Sequence, residues 1–146
     1  MAKFSFNGMN ELSITLQEMA SAPDEVKYNM LEAGAAVLVE KWKNVLESHR
    51  RTGSLIDSIK AKRKKGDSPI VQVVPDGPHT STYRGIRKTK RGGYKKTNAE
   101  VAYVLEYGTP RMDATHWMET ANEEAADSVA EAEAAVWDEY LKSLNL

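Results

Sequence analysis

The sequence predicts an α+β fold in which a long N-terminal helix and a C-terminal helix pack on a small antiparallel sheet carrying a long basic loop. Three observations lead there. Apolar residues recur at three-, four- and seven-residue spacings from Met30 to Leu46 and again from Met118 to Leu144, the pattern of helices that bury one stripe. Between them Ile70, Val71, Val73 and Val74 form a β-branched run bounded by Gly66–Pro69 and Pro75–Pro78, the pattern of a strand between turns. The chain has 146 residues, 41% of them apolar, and no cysteine. That length buries enough surface for one core without a disulfide or metal staple, so residues 1–146 are expected to form a single domain.

The elements follow in order. Met9, Leu12, Leu16 and Met19 give a short amphipathic helix over 9–20. Ser21 has the chemistry of an N-cap, with Pro23 in the first turn and Asp24 three residues on. A longer helix is expected from Asp24 to about Arg50, roughly 40 Å at about 1.5 Å per residue, with Met30, Val37, Leu38, Trp42, Val45 and Leu46 on its apolar side. Arg50 and Arg51 suit the negative end of its dipole, and Gly53 closes it in a left-handed conformation. Strands are expected at 57–65 and 69–75 about a Gly66-Asp67-Ser68 turn. Residues 79–98 have no apolar periodicity and read as an extended loop, expected to be mobile in the free subunit. Glu100–Tyr107 resumes strand character and would be a third strand, ended by Gly108-Thr109-Pro110. The last helix runs from near Trp117 to Ser143, with Ala121, Ala125, Val129, Ala132 and Val136 on its buried side. Trp42, Trp117 and Trp137 are expected in the core.

The net charge of −1 conceals a segregation. Between Lys60 and Lys96 stand twelve basic residues against Asp67 and Asp76, whereas from Asp113 onward there are nine acids and only Lys142. A basic middle and acidic ends imply either a polyanion partner or head-to-tail contact between copies.

Several function classes are disfavoured. Without cysteine there are no zinc ribbons, thiol nucleophiles or redox motifs. The first residues lack the apolar run of about 7 to 15 residues that marks a signal peptide, and nothing approaches the roughly 18 apolar residues of a membrane helix; a soluble intracellular product without membrane partners is expected. His49, His79 and His116 share no metal-ligand spacing, so no metal role is assigned. Asp57, Glu100 and Glu106 could meet across the sheet, but carboxylates alone do not make a catalytic site, and the chain is not expected to be an enzyme. Gly85, Gly92 and Gly93 do not form a phosphate-binding loop. No cofactor or small-molecule substrate is implied.

The basic loop carries the charge. Arg84, Arg87, Lys88, Lys90, Arg91, Lys95 and Lys96, interleaved with Tyr83 and Tyr94, suit phosphate neutralisation and base stacking. They equally suit docking on an acidic protein surface, the reading favoured by the acidic C-terminal region. The plain alternative is a solvated hairpin tip.

Three segments then fall into one order: Thr52-Gly53-x-Leu55-x-x-Ser58-Ile59 after a long helix; Ala102-Tyr103-x-x-Glu106-Tyr107-Gly108-Thr109; and Met112-x-Ala114-x-His116-Trp117-Met118-x-x-Ala121 opening the last helix. In these residues the chain resembles the head-tail joining and tail-completion (neck) family of tailed double-stranded DNA bacteriophages and prophages, over about residues 9–125. The family usually has proline where His116 stands, which leaves the start of the last helix less rigidly set here. Thr52, Gly53, Glu106, Gly108, Thr109 and Trp117 read as structural: Gly53 ends a helix, Gly108 permits a sharp exit from the strand, and Thr109 hydrogen-bonds in the turn. The resemblance implies a virion structural protein assembled in the host cytoplasm. Its subunits would form a homo-oligomeric ring, generally hexameric, that contacts the tail tube protein and the neck or connector proteins and surrounds the DNA path, with non-specific contact to genomic DNA. Tail terminator, neck stopper and connector adaptor all fit it. The alternative is a nucleic-acid-binding protein using the loop 83–96.

Overall fold

The computed structural model describes residues 17, 20–79 and 96–145. Helix α1, Asp24–Leu46, starts directly behind Pro23, whose ψ of 144° turns the chain, with Asp24 and Glu25 facing the positive helix end. The cap therefore falls two residues beyond the expected Ser21, because Ala20 and Ser21 still belong to a preceding helical segment. Met9, Leu12, Leu16 and Met19 of that predicted first helix lie outside the described residues.

Helix α1 stops at Leu46, and a short tight turn at Glu47–His49 carries the chain on. Gly53 does adopt a left-handed conformation, with φ 80°, but it opens a new helix instead of closing the old one. That helix, α2, is the single turn Ser54–Ser58, held by Asp57 N–H on Gly53 O at 2.9 Å and Ser58 Oγ on Leu55 O at 2.6 Å. It consumes the first residues of the predicted strand, so β1 is Ile59–Lys64. Strand β2, Ile70–Pro75, pairs with it antiparallel, in register from Ile59 opposite Pro75 to Lys64 opposite Ile70.

The expected third strand is a helix. Asn98–Tyr107 forms α3 behind a capping box in which Thr97 Oγ1 accepts from Glu100 N–H and the Glu100 carboxylate accepts from Thr97 N–H, each at 3.2 Å. Among the described residues the sheet thus has two strands. Helix α4, Trp117–Ser143, is where the sequence places it.

Helices α1 and α4 run antiparallel. Trp42 of α1 donates its indole N–H to Asn122 at 2.7 Å, Lys41 pairs with Glu124 at 2.6 Å, and Gly34 faces Val129 and Glu133. A Cβ on Gly34 would sit 3.0 Å from Val129 Cγ1, so the missing side chain lets the helices approach. The ribbon packs on α1 through Ile59 and Val73. Arg63, on the same face of β1, forks to Glu25 and Glu32 and lies 4.6 Å over the Tyr28 ring. The core gathers Trp42, Leu46, Leu55, Ile56, Ile59, Ala102, Trp117 and Ala121. Trp42 and Trp117 meet edge to face at 5.2 Å, and Trp137 is buried near the far end of α4. All three tryptophans are core residues, as their spacing predicts.

Candidate functional site

The residues singled out by the sequence converge around α3. Thr52 accepts the Ser54 N–H, and Gly53 packs against the Arg50 guanidinium. Ser54 reaches Asn98 at 3.2 Å, and Asn98 in turn donates to the backbone oxygens of Asp76 and Pro78. This buried asparagine ties the start of α2, the exit from β2 and the start of α3 together. Sequence reasoning missed it, although Thr97-Asn98-Ala99-Glu100 is a readable capping box.

Gly108, with φ 75°, ends α3 where a strand exit was expected. The Thr109–Met112 turn follows, closed by paired backbone hydrogen bonds of 2.8 and 3.1 Å, with Thr109 Oγ1 accepting from Arg111 N–H as its motif predicts. Glu106 is only 5% exposed. Its carboxylate accepts from the backbone N–H groups of Met118 and Glu119 at 2.6 and 3.3 Å, so a side chain from α3 caps α4. His116 sits at φ 49°, which proline, fixed at about −65°, cannot adopt. The start of α4 is thus held by Glu106, with Thr115 and His116 N–H on the Leu105 and Glu106 carbonyls.

The acids expected to meet across the sheet do not. Glu100 is spent in its own capping box, Glu106 faces α4, and Asp57 is exposed on α2, because helix has replaced the strand that would have aligned them. Glu106, His116 and Glu119 do bring potential ligand atoms within 4.8 Å, a proximity absent from the sequence reading. Both Glu106 oxygens already hold helix N–H groups, so the cluster is accounted for as a capped helix start.

Beside α3 lies a hollow of about 490 Å³. Leu46, Leu55, Ile56, Val101, Leu105 and Met112 form its apolar floor, and His49, Arg50, Arg51, His79 and Lys96 edge it. Arg50 is paired with Glu47 at 2.8 Å, and Glu100 is the acid on the lining. His79 Nδ1 is buried without a hydrogen-bond partner among the described residues. Of the predicted loop cations, Lys96 stands on this rim; Arg84, Arg87, Lys88, Lys90, Arg91 and Lys95 lie outside the described residues. On the outer side of α3, the Tyr103 and Tyr107 rings meet at 4.7 Å with their planes tilted by 48°, each residue 63% exposed.

Elsewhere Lys60 and Lys62 clasp Asp76 at 2.6 and 2.7 Å and lower its carboxyl to about 2. Burial, helped by the Lys96 charge, lowers the His79 imidazole below its ordinary value of 6.5. The neutral ring is therefore favoured in the folded chain. Its contribution to stability is complete above pH 6.5 and falls as pH drops through the lowered folded value, since the unfolded chain takes up the proton first. Urea midpoints measured on either side of pH 6.5 should decline toward acid, and His79→Gln should flatten that slope; an unchanged slope in the variant would assign it to other groups.

Glu106→Gln should cost about 1–3 kcal/mol, because an amide NH2 turned toward one helix N–H leaves it unsatisfied. Equilibrium unfolding reads this, and a variant as stable as the parent would show that the cap contributes nothing.

No described helix is long and apolar enough to cross a membrane. No family model, curated protein or solved structure matches the chain.

Proposed function

We propose that this chain is a bacteriophage virion structural protein: a ring-forming tail-completion or head-tail joining subunit of the neck, docking the tail to the capsid connector around the DNA path. The observation that carries the reading is the ordered set of three motifs on residues that build the α2–α3–α4 junction, Gly53, Glu106, Gly108 and Trp117 among them. The opposed charges of the chain support it: an acidic long helix and a basic central segment are what a heterologous ring contact uses. On this reading the motif residues shape the subunit, and the loop 79–98 reaches a neighbouring subunit or the next ring.

Two measurements test it. Light scattering with negative-stain imaging, on the protein alone and mixed with tail tubes from the same source, should find rings or capped tube ends; a monomer that ignores tubes argues against it. Reversing Arg87, Lys88, Lys90 and Arg91 to Glu should block head-tail joining while leaving thermal stability unchanged. A stability loss as large as that of a core variant would make the loop part of the fold instead.

A second reading, nucleic-acid binding through the loop 83–96, draws on one feature of the ribbon. Lys60, Lys62 and Lys64 alternate onto the face of β1 opposite Ile59 and Arg63, and all three are exposed, Lys60 and Lys62 sharing Asp76 as counter-charge. It requires an affinity for DNA that falls linearly with log salt, and no binding at low salt removes it.

A further inference from the structure

We propose that the hollow beside α3 and the exposed Tyr103–Tyr107 pair form a seat for the acidic outer ridge of helix α4 of a second copy of this chain. The seat is apolar, aromatic and cationic at once. Val104, 37% exposed, joins the tyrosine pair to the hollow's apolar lining, so the two make one continuous strip. Exposed tyrosines are well suited to protein contacts, since they bring large apolar area at the cost of few rotatable bonds. Around the strip stand Arg51, Lys96, His49 and Arg50, the last paired with Glu47 at 2.8 Å, while Glu100, the acid among the described lining residues, is used in its capping box. An occupant should therefore be slim, apolar where it meets the strip and negative at its edges.

Helix α4 offers that surface. It packs on α1 and the core through Trp117, Ala121 and Ala125. On the opposite side Glu123, Asp127, Ala130, Glu131, Ala134 and Asp138 form an exposed ridge at three- and four-residue spacing. Ala130 and Ala134 let another surface approach closely, and the flanking carboxylates complement Arg50 and Arg51. The ridge points away from the packed side of its own subunit, so it meets the seat only on another molecule. Such a contact joins two different patches and repeats head to tail, closing into a ring or running on as a filament. It supplies the subunit contact for the proposed neck ring and rests on that reading for closure, although its test needs no tail.

The chain's lack of cysteine makes the test direct. Full-length Tyr107→Cys and Ala130→Cys proteins, both altered at exposed positions, are mixed and oxidised. The mixed disulfide dimer should form several-fold faster than a control dimer between Ala130→Cys and Gly66→Cys, a site on the exposed β-turn. Adding Arg50→Glu and Arg51→Glu to the Tyr107→Cys protein should abolish the preference, and Asp127→Lys with Glu131→Lys in the Ala130→Cys protein should restore it. Melting curves establish that each variant folds. Equal cross-linking of all pairs, or charge reversal without effect or rescue, overturns the proposal. Cross-linking with rescue by a protein that leaves tail tubes bare would keep the contact and remove the neck reading. Rings that cap tubes without this cross-link would do the opposite.

Discussion

Trp117→Ala is expected to destabilise the protein by about 3–5 kcal/mol, the usual range for truncating a fully buried aromatic. Trp117 is 1% exposed, packs edge to face on Trp42, and donates its indole N–H to the Ala102 oxygen at 3.1 Å. It joins three helices: α1 through Trp42, α3 through Ala102, and α4, which it begins. Its loss leaves a cavity where they meet and removes the buried indole hydrogen bond to a carbonyl of α3. Trp117→Phe keeps most of the volume but not the hydrogen bond, and should cost less, about 1–3 kcal/mol. Urea denaturation of the two variants checks the order. If the alanine variant lost less than the phenylalanine one, the ring would not be the keystone of this junction.

Gly108→Ala should cost about 3 kcal/mol or more, combining backbone strain of about 1–3 kcal/mol with a clash that has no outlet. Gly108 has φ 75° and ψ −174°, a conformation nearly reserved for glycine. An added Cβ would lie 2.6 Å from both Ala114 N and Met112 O, which are main-chain atoms and cannot swing aside. Gly77 provides the control. Its φ is 80°, but nothing stands within 4 Å of a Cβ there. Gly77→Ala should therefore cost only the left-handed conformation, about 1–2 kcal/mol. Thermal melts of both should separate by the clash together with the greater backbone strain at Gly108; equal losses would mean that the 108–114 turn relaxes freely.

Helices α1 and α4 were legible because their apolar stripes repeat over 23 and 27 residues, long enough for the helical period to dominate. The ribbon was legible because Ile70, Val71, Val73 and Val74 stand between breakers. Glu100–Tyr107 was misread because Val101, Tyr103 and Leu105 alternate as a strand would. The Thr97–Glu100 capping box and the packing of Ala102 and Glu106 against α4 select the helix instead. That choice removes a strand, exposes the tyrosine pair and forms the hollow's wall, so the candidate site was hidden behind the same error. The motif residues stand at the junction of α2, α3 and α4, but their tasks differ from the expected ones: Gly53 starts a helix, and Gly108 leaves one.

By itself the sequence determined the α+β class, the two long helices, the three core tryptophans and the separation of basic from acidic segments, because each is written in spacing or composition. Only the tertiary structure decided the state of the 98–107 segment, the capping of α4 by Glu106 and the meeting of aromatic strip and cationic rim. Those depend on partners far apart in the chain: Asn98 with Ser54, Glu106 with Met118, Trp117 with Trp42. A local pattern records what a segment prefers. The free energy of burying Ala102 and satisfying the first N–H groups of α4 is settled only when the segments pack.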